Sequence, residues 1–182
     1  LLCLRRTDPH GSRPFPPPHP AADARHRLHT HWNLDAASVL AAQCLDIQPG
    51  QAVLDMCAAP GGKSITLAQR LWPALYVDHP SGEQQHRQRP SILHANEVDV
   101  ARHRRLHANL TSYLPPTLFE QGLVDVLRID ATSPRAVHLF PLGEEGYDRI
   151  LIDAPCSSER HILHAFMRAQ QSLSLIHISE PT

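Results

Sequence analysis

The sequence predicts an α/β fold, a doubly wound domain in which helices cover both faces of a parallel sheet. Two observations indicate this class. Short apolar segments alternate with helical segments, which is the pattern of parallel strands joined by helical crossovers. The apolar segments also end in an acidic residue or a glycine-rich turn, and parallel strands collect such groups at one edge. We expect a ligand to bind at that edge.

The elements of the first half follow from caps and turns. Asp35 is placed to cap an alanine-rich helix over residues 35–45. A proline-glycine turn then leads into the first strand, predicted at 53–57. The glycine turn that ends this strand opens a helix over 64–71. Polar residues with several prolines follow at 73–91, and we expect a long surface loop there.

The second half repeats the alternation of strand and helix. We expect a strand, a helix and two further strands, at residues 92–96, 102–113, 124–129 and 150–153. Glu97 stops the first of these strands, Asp130 closes the next, and Asp153 ends the last. The acidic residues are therefore expected to meet at the carboxyl edge of the sheet.

Overall charge and cysteine usage narrow the class of protein. The formal net charge of the 182 residues is −1, so no overall basic field indicates nucleic acid. The 4 cysteines are scattered without a paired motif, which indicates a reducing compartment rather than a disulfide framework. No apolar run reaches the length of a transmembrane helix, so no membrane partner is expected.

Two clusters of reactive or charged residues receive structural interpretations. His161 and His164 have a spacing that zinc ligands use, but a third ligand is missing, and no metal site is expected. Arg102, Arg104 and Arg105 are interpreted as a solvated helix face rather than as phosphate contacts.

The groups at the predicted sheet edge suit one kind of cofactor. Glu97 follows the second strand, and a carboxylate there accepts hydrogen bonds from both hydroxyls of a ribose. Asp130 follows the third strand and is placed to accept a hydrogen bond from an adenine amino group. The turn at 57–63 then has only to hold an amino acid carboxylate. These demands describe S-adenosylmethionine better than NAD or ATP.

Two other nucleotide-binding loops fit the turn less well. A dinucleotide fingerprint requires Gly-x-Gly-x-x-Gly, which residues 59–63 do not supply. The phosphate loop of nucleoside triphosphatases requires a glycine where Cys57 stands, although residues 62–64 match its end. Pro60 also removes one amide donor from the loop. A nucleotide-binding protein of this kind stays open as the weakest alternative.

Two motifs are long and specific. Residues 54–64 read LDMCAAPGGKS, and residues 153–157 read DAPCS. Both closely resemble motifs of the Sun-type (NOL/NOP/Sun) RNA cytosine-5 methyltransferases. Residues 93–99, LHANEVD, and 159–161, ERH, are most similar to the mitochondrial members that act on ribosomal or transfer RNA. The resemblance covers residues 32–168 and implies a Rossmann-like class I domain that depends on S-adenosylmethionine.

The resemblance also implies which residues form the site. Those implied to contact S-adenosylmethionine are Cys57, Ala58, Ala59, Pro60, Gly61, Gly62, Lys63, Glu97, Asp130 and Asp153. In the implied reaction a cysteine thiolate adds to C6 of cytosine, so that C5 can take the methyl group. Asp153 is implied to be catalytic as well, because it could hold the cytosine edge during this addition.

One residue that the family uses does not occur. Members carry two cysteines, a nucleophile in a Thr-Cys-Ser motif on the fifth strand and a second cysteine that assists product release. Cys156 matches the second, and no Thr-Cys-Ser occurs in the chain. We therefore expect a sheet that is incomplete after its fourth strand, and an inactive fragment. The alternative from another class is a non-catalytic fragment that binds S-adenosylmethionine or RNA.

The chain is expected to have three parts. Residues 1–31, rich in proline, histidine and arginine, are predicted to be a linker or a truncated upstream region. Residues 32–168 form the partial methyltransferase domain, and residues 169–182 are interpreted as an artefactual tail, since they match nothing in the family. The resemblance implies RNA as partner and favours the mitochondrion, with nucleus or cytoplasm as alternatives. No protein partner is predicted.

Overall fold

The computed structural model describes residues 28–75 and 89–154, and the elements named here belong to these two segments. The helices are α1 (Ala36–Gln43), α2 (Gly62–Leu71), α3 (Val100–Tyr113), α4 (Pro116–Glu120) and α5 (Ala136–Leu139). The strands are β1 (Ala52–Asp55), β2 (Ile92–Asn96), β3 (Val124–Leu127) and β4 (Arg149–Leu151). One turn of 3-10 helix, Pro73–Leu75, follows α2.

The strands form one parallel sheet in the order β3-β2-β1-β4. Val53 of β1 lies opposite Leu93 of β2 and Arg149 of β4, and Leu93 in turn lies opposite Val124 of β3. β1 thus has a neighbour on each side, and all its residues are buried. The predicted parallel sheet is confirmed.

Helices pack on both faces of this sheet. Side chains alternate along a strand, so neighbouring residues of β1 point to opposite faces. Val53 belongs to the larger core cluster, which includes Leu67 of α2 and Leu106 of α3. Leu54 belongs to a second cluster with Ala136 of α5. The fold is therefore doubly wound, as predicted.

Aspartate caps decide where two of the helices begin. The Asp35 carboxylate accepts a hydrogen bond from the Ser38 amide at 3.0 Å, which makes it the predicted N-cap of α1. The Asp99 carboxylate accepts one from the Arg102 amide at 2.8 Å. Because of this second cap, α3 begins at Val100, before the residue at which the sequence predicts it.

The strand ends differ from the prediction at the carboxyl edge. β1 ends at Asp55, β3 at Leu127 and β4 at Leu151, each two residues before the predicted end. The sequence predicted later ends because apolar residues follow the last residue of each of these strands. In the structure those residues belong to the loops at the carboxyl edge of the sheet. The loop predicted at 73–91 begins with the 3-10 turn, and its residues 76–88 lie outside the described part of the chain.

Two short helices occur where no element was predicted. α4 has a proline in its first turn and α5 consists of 4 residues, so neither is long enough to show helical periodicity in the sequence. α4 lies in the connection from α3 to β3, and α5 lies in the connection from β3 to β4.

The chain segment before α1 packs on α3. The His29 amide donates to the Ser112 carbonyl at 2.8 Å, and the Tyr113 hydroxyl donates to the His31 carbonyl at 2.9 Å. The rings of Trp32 and Tyr113 meet edge to face, with centroids 5.1 Å apart. Residues 28–31, which belong to the predicted linker, are thus held against the folded domain.

Two compact units follow one another along the chain, Leu1–Ile152 and Asp153–Thr182. The sheet and all the helices named above lie in the first unit. Asp153 and Ala154 are the described residues of the second.

Candidate functional site at the carboxyl edge of the sheet

Three parallel strands bring the turn at 57–63, Glu97 and Asp130 to one edge. The turn after β1, Glu97 after β2 and Asp130 in the loop after β3 follow one another in the order of the strands. β1 pairs with β2 on one side and β4 on the other, so the chain changes direction across the sheet at this strand. Ligands of doubly wound sheets bind in the crevice at such a point.

A buried carboxylate joins β1 to the helix that follows the turn. Asp55, the last residue of β1, accepts a hydrogen bond from the Ser64 hydroxyl in the first turn of α2, at 2.7 Å. Both residues are buried. The turn between them is therefore closed at its base by a buried hydrogen bond.

The turn itself depends on internal backbone bonds and on one glycine. The Ala58 amide donates to the Asn96 carbonyl of β2 at 2.9 Å, and the Gly61 amide donates back to the Ala58 carbonyl at 2.8 Å. The peptide between Ala59 and Pro60 is cis. Gly61 has a φ of 114°, a conformation that residues with a Cβ rarely adopt. Cys57 lies in this turn, half-buried, and not in the strand as predicted.

The inner face of α3 supports the turn from behind. Arg102 donates from Nη2 to the Ala59 carbonyl at 3.1 Å, and Asn109 donates from Nδ2 to the Pro60 carbonyl at 2.7 Å. A Cβ at Gly61 would lie only 3.3 Å from the Leu106 side chain of the same helix. Two carbonyls and one glycine of the turn are thus held by a helix from the next strand-helix unit.

Gly62 is needed for packing rather than for its backbone conformation. A Cβ placed there would lie 2.7 Å from Nε1 of Trp32 and 2.9 Å from Cδ1 of Leu34. Both side chains come from the segment before α1. The two adjacent glycines therefore have different roles. Gly61 permits the backbone conformation of the turn, and Gly62 lets the segment before α1 pack closely on α2.

Glu97 is the most enclosed carboxylate among the predicted cofactor contacts. It is 4% exposed. Its Oε1 accepts a hydrogen bond from the Asp99 amide at 3.0 Å, and its Oε2 pairs with Nη2 of Arg102 at 3.1 Å. Arg102 thereby joins Glu97 to the Ala59 carbonyl, so its interpretation as part of a solvated helix face is wrong.

Asn96 is a site residue that the sequence analysis did not single out. It is 2% exposed, and its Nδ2 donates to the carbonyls of Met56 at 3.1 Å and Ile129 at 2.9 Å. Its Oδ1 accepts a hydrogen bond from the Ile129 amide at 2.8 Å. One side chain thus joins the loops after β1 and β3 across β2. The signal in the sequence is an amide at the last position of the predicted strand.

Asp130 lies at the surface of the same edge. Its Oδ1 accepts hydrogen bonds from the amide and the hydroxyl of Thr132, at 2.9 Å and 2.7 Å. These bonds lower the pKa of the Asp130 carboxyl, so the group is anionic. Its Oδ2 makes no hydrogen bond with the described residues and stays available as an acceptor.

Lys63 reaches from α2 to the start of α1. Its Nζ donates to the Ser38 hydroxyl at 3.0 Å, and that hydroxyl donates to the Asp35 carboxylate at 2.8 Å. Hydrogen bonds from the Ser38 amide and hydroxyl lower the pKa of Asp35, and the Lys63 charge contributes in the same direction. Lys63 is thus connected through the Ser38 hydroxyl to Asp35, the N-cap of α1.

The last predicted residues fall near the end of the described chain. Asp153 is exposed and begins the second compact unit, so its predicted cofactor contact stays a prediction. Cys156, the predicted product-release residue, lies outside the described residues, as do His161 and His164.

Within residues 28–75 and 89–154, no group of three or more histidine, cysteine or acidic side chains could hold a metal ion. No helix in these segments is long and apolar enough to cross a membrane.

The chemistry of the edge favours a ligand that donates hydrogen bonds. Glu97 and Asp130 are carboxylates, which accept hydrogen bonds and attract positive charge. Phosphate groups require amide donors instead, yet the Ala58 and Gly61 amides are already used inside the protein. A nucleotide-like ligand with hydroxyl and amino donors, and without a polyphosphate, fits these groups better.

A parallel doubly wound sheet with a glycine turn after its central strand and carboxylates after the next two strands defines a nucleotide-type cofactor domain. The comparison with protein families is more specific. A family model described as 16S rRNA methyltransferase RsmB/F matches residues 42–171, and the chain belongs to this family. The predicted family resemblance is thereby confirmed.

Individual relatives agree with this family. The chain is 37% identical over 137 residues to the tRNA (cytosine(34)-C(5))-methyltransferase, mitochondrial, of Danio rerio, covering 75% of this chain and 31% of that protein. It is 36% identical over 137 residues to the 5-cytosine rRNA methyltransferase NSUN4 of Bos taurus, covering 75% and 30%. A crystal structure of a methyltransferase homologue from Pyrococcus horikoshii is similar with a TM-score of 0.43 at 30% identity, covering 69% of this chain and 32% of that one. The chain thus spans 31% and 30% of the two curated relatives.

Proposed function

We propose that this chain is part of an RNA cytosine-5 methyltransferase that uses S-adenosylmethionine. The observation that carries the proposal is the family match over residues 42–171, which includes the turn, Glu97 and Asp130. When bound, S-adenosylmethionine supplies the methyl group. The names of the two relatives support cytosine in ribosomal or transfer RNA as the target. The name of the Danio rerio relative supports mitochondria as the compartment.

The described residues fit this cofactor in the chemistry of their donors and acceptors. Glu97 uses two of its acceptor positions for Asp99 and Arg102, and a carboxylate has about four, so two could serve the ribose hydroxyls. Asp130 offers Oδ2 to the adenine amino group. α2 begins at Gly62, and the dipole at the N-terminus of a helix attracts an amino acid carboxylate.

The remaining roles rest on the family alone. Asp153 would contact the cofactor and the cytosine edge, and Cys156 would assist product release. Because no Thr-Cys-Ser motif occurs in the sequence, we expect this chain to bind S-adenosylmethionine without methylating RNA. The target base in a structured RNA would have to leave its stack to reach the edge.

Calorimetric titration of the full chain with S-adenosylmethionine tests the proposal. Glu97→Ala removes charged hydrogen bonds worth about 1.5–3 kcal/mol each and should weaken binding about tenfold or more. Glu120→Ala is the matched control, since it removes an exposed glutamate from the distant helix α4. ATP with magnesium is the competing ligand.

The outcomes separate the candidates. Binding of S-adenosylmethionine that Glu97→Ala weakens and Glu120→Ala leaves unchanged would support the proposed cofactor site. Binding of ATP with magnesium that survives Glu97→Ala would instead favour a phosphate loop. A folded sample that binds neither ligand would contradict the cofactor proposal for this chain.

A further inference from the structure

Helix α3 has a second face that the cofactor edge does not use. Its inner face holds the glycine turn through Arg102, Leu106 and Asn109. Its outer face exposes Arg104 and Arg105, and neither forms an ion pair with any described residue. The helix contains no acidic residue, so this face is positively charged.

A shallow, open pocket lies between α3 and α4. It has a volume of about 220 Å³ and is lined by His107, Thr111, Pro116, Phe119 and Glu120. The rings of His107 and Phe119 have centroids 6.5 Å apart and are inclined by 54°.

Helical spacing relates Arg104 to this pocket, although Arg104 is not one of the lining residues. It precedes His107 by three residues, and residues three or four apart lie on the same side of a helix. Thr111 follows His107 by four residues and continues the same stripe. Arg104 therefore lies about one helical turn before His107, one of the two rings that line the pocket.

Each group in this arrangement matches one part of a nucleotide. Aromatic and histidine rings stack on unpaired bases, and arginine binds phosphate. Glu120 is an acceptor at the same pocket, and it suits a base with an exocyclic amino group, which uracil lacks.

We propose that the pocket between α3 and α4 binds one unpaired nucleotide of the RNA, with its base against Phe119 and its phosphate on Arg104. This rests on the proposed function in that RNA is the substrate. The site lies far from the cofactor edge, because α3 starts beside Glu97 and Thr111 is about 16 Å further along the helix axis. The nucleotide held there is not adjacent to the target cytosine and helps to position the RNA.

The test is fluorescence anisotropy of short labelled oligocytidine and oligouridine strands with the full chain, over a series of salt concentrations. Arg104→Ala should weaken binding and lower the slope of log affinity against log salt by about one. Phe119→Leu keeps an apolar side chain but removes the ring, and should weaken binding about fivefold or more. Glu120→Gln should reduce the preference for oligocytidine. Arg135→Ala is the control, because it removes an exposed arginine beside α5.

Support requires a lower salt slope for Arg104→Ala than for Arg135→Ala, together with the loss in Phe119→Leu. Equal effects of the two arginine variants would overturn the proposal, since they would indicate diffuse attraction. Wild-type protein that binds neither strand at low salt would also overturn it. Calorimetry with S-adenosylmethionine on the same samples shows separately whether the cofactor site is present. Phe119 packs against the core, so Phe119→Leu could fail to fold. In that case the comparison of Arg104→Ala with Arg135→Ala decides the result.

Discussion

Replacing Asn96 with alanine removes the side chain that joins the loops after β1 and β3. Three hydrogen bonds to backbone groups are lost, those with the Met56 carbonyl and with the carbonyl and amide of Ile129. At about 1 kcal/mol for each bond, the free energy of unfolding should fall by about 3 kcal/mol. That is roughly a 150-fold change in the folding equilibrium constant.

Urea unfolding of the full chain measures this change. With a slope of about 2 kcal/mol per molar urea, the midpoint should fall by about 1.5 M. Asn109→Ala is the control, because its side chain makes one bond, to the Pro60 carbonyl, and its removal should cost about 1 kcal/mol. Equal midpoints for the two variants would refute the reasoning, since buried backbone groups would then be satisfied without Asn96.

Two further predictions concern packing and pH. Gly62→Ala should destabilise the fold by about 1–3 kcal/mol, because the new methyl group overlaps Trp32 and Leu34. Trp32→Ala in the same background should recover part of this loss in a double-mutant cycle of urea midpoints, and strictly additive losses would contradict the overlap. Burial lowers the pKa of His94, while the nearby Asp125 acts in the opposite direction. A histidine with a lowered folded pKa loses stability as the pH falls below its unfolded pKa of about 6.5. Urea midpoints at pH 7.5 and 5 should therefore differ less for His94→Gln than for the wild type, and an unchanged difference would show that other groups carry the pH dependence.

The sequence predicted the sheet well because each strand is a short segment containing Val, Ile or Leu that is followed by a clear end signal. The glycine turn, Glu97 and Asp130 marked three of these ends, and the chain does bring the groups after β1, β2 and β3 to one edge. The strand ends themselves were predicted too late. Pairing stops where the neighbouring strands stop, and a single strand's composition does not contain that information.

The supporting contacts of the site could not be predicted in the same way. Arg102, Arg104 and Arg105 are the same residue type within one helix, yet only Arg102 reaches the glycine turn and Glu97. The rotation of α3 relative to the sheet decides which arginine faces inward, and that rotation depends on Leu106 and Leu110 in the core. A tertiary contact thus distinguishes residues that are equivalent in the sequence.

The support of the turn by α3 determines what could be transplanted to another protein. The motif at 54–64 carries the glycines, but Asn109 and Arg102 hold two of its carbonyls and Leu106 packs against Gly61. These three residues come from a helix that starts 36 residues after the motif ends. A graft of the motif alone into a foreign parallel sheet would therefore lack the contacts that shape it. The smallest portable module extends from β1 to the end of α3, residues 52–113, and chimeras that divide the chain inside this span should lose the geometry of the turn even when every motif residue is kept.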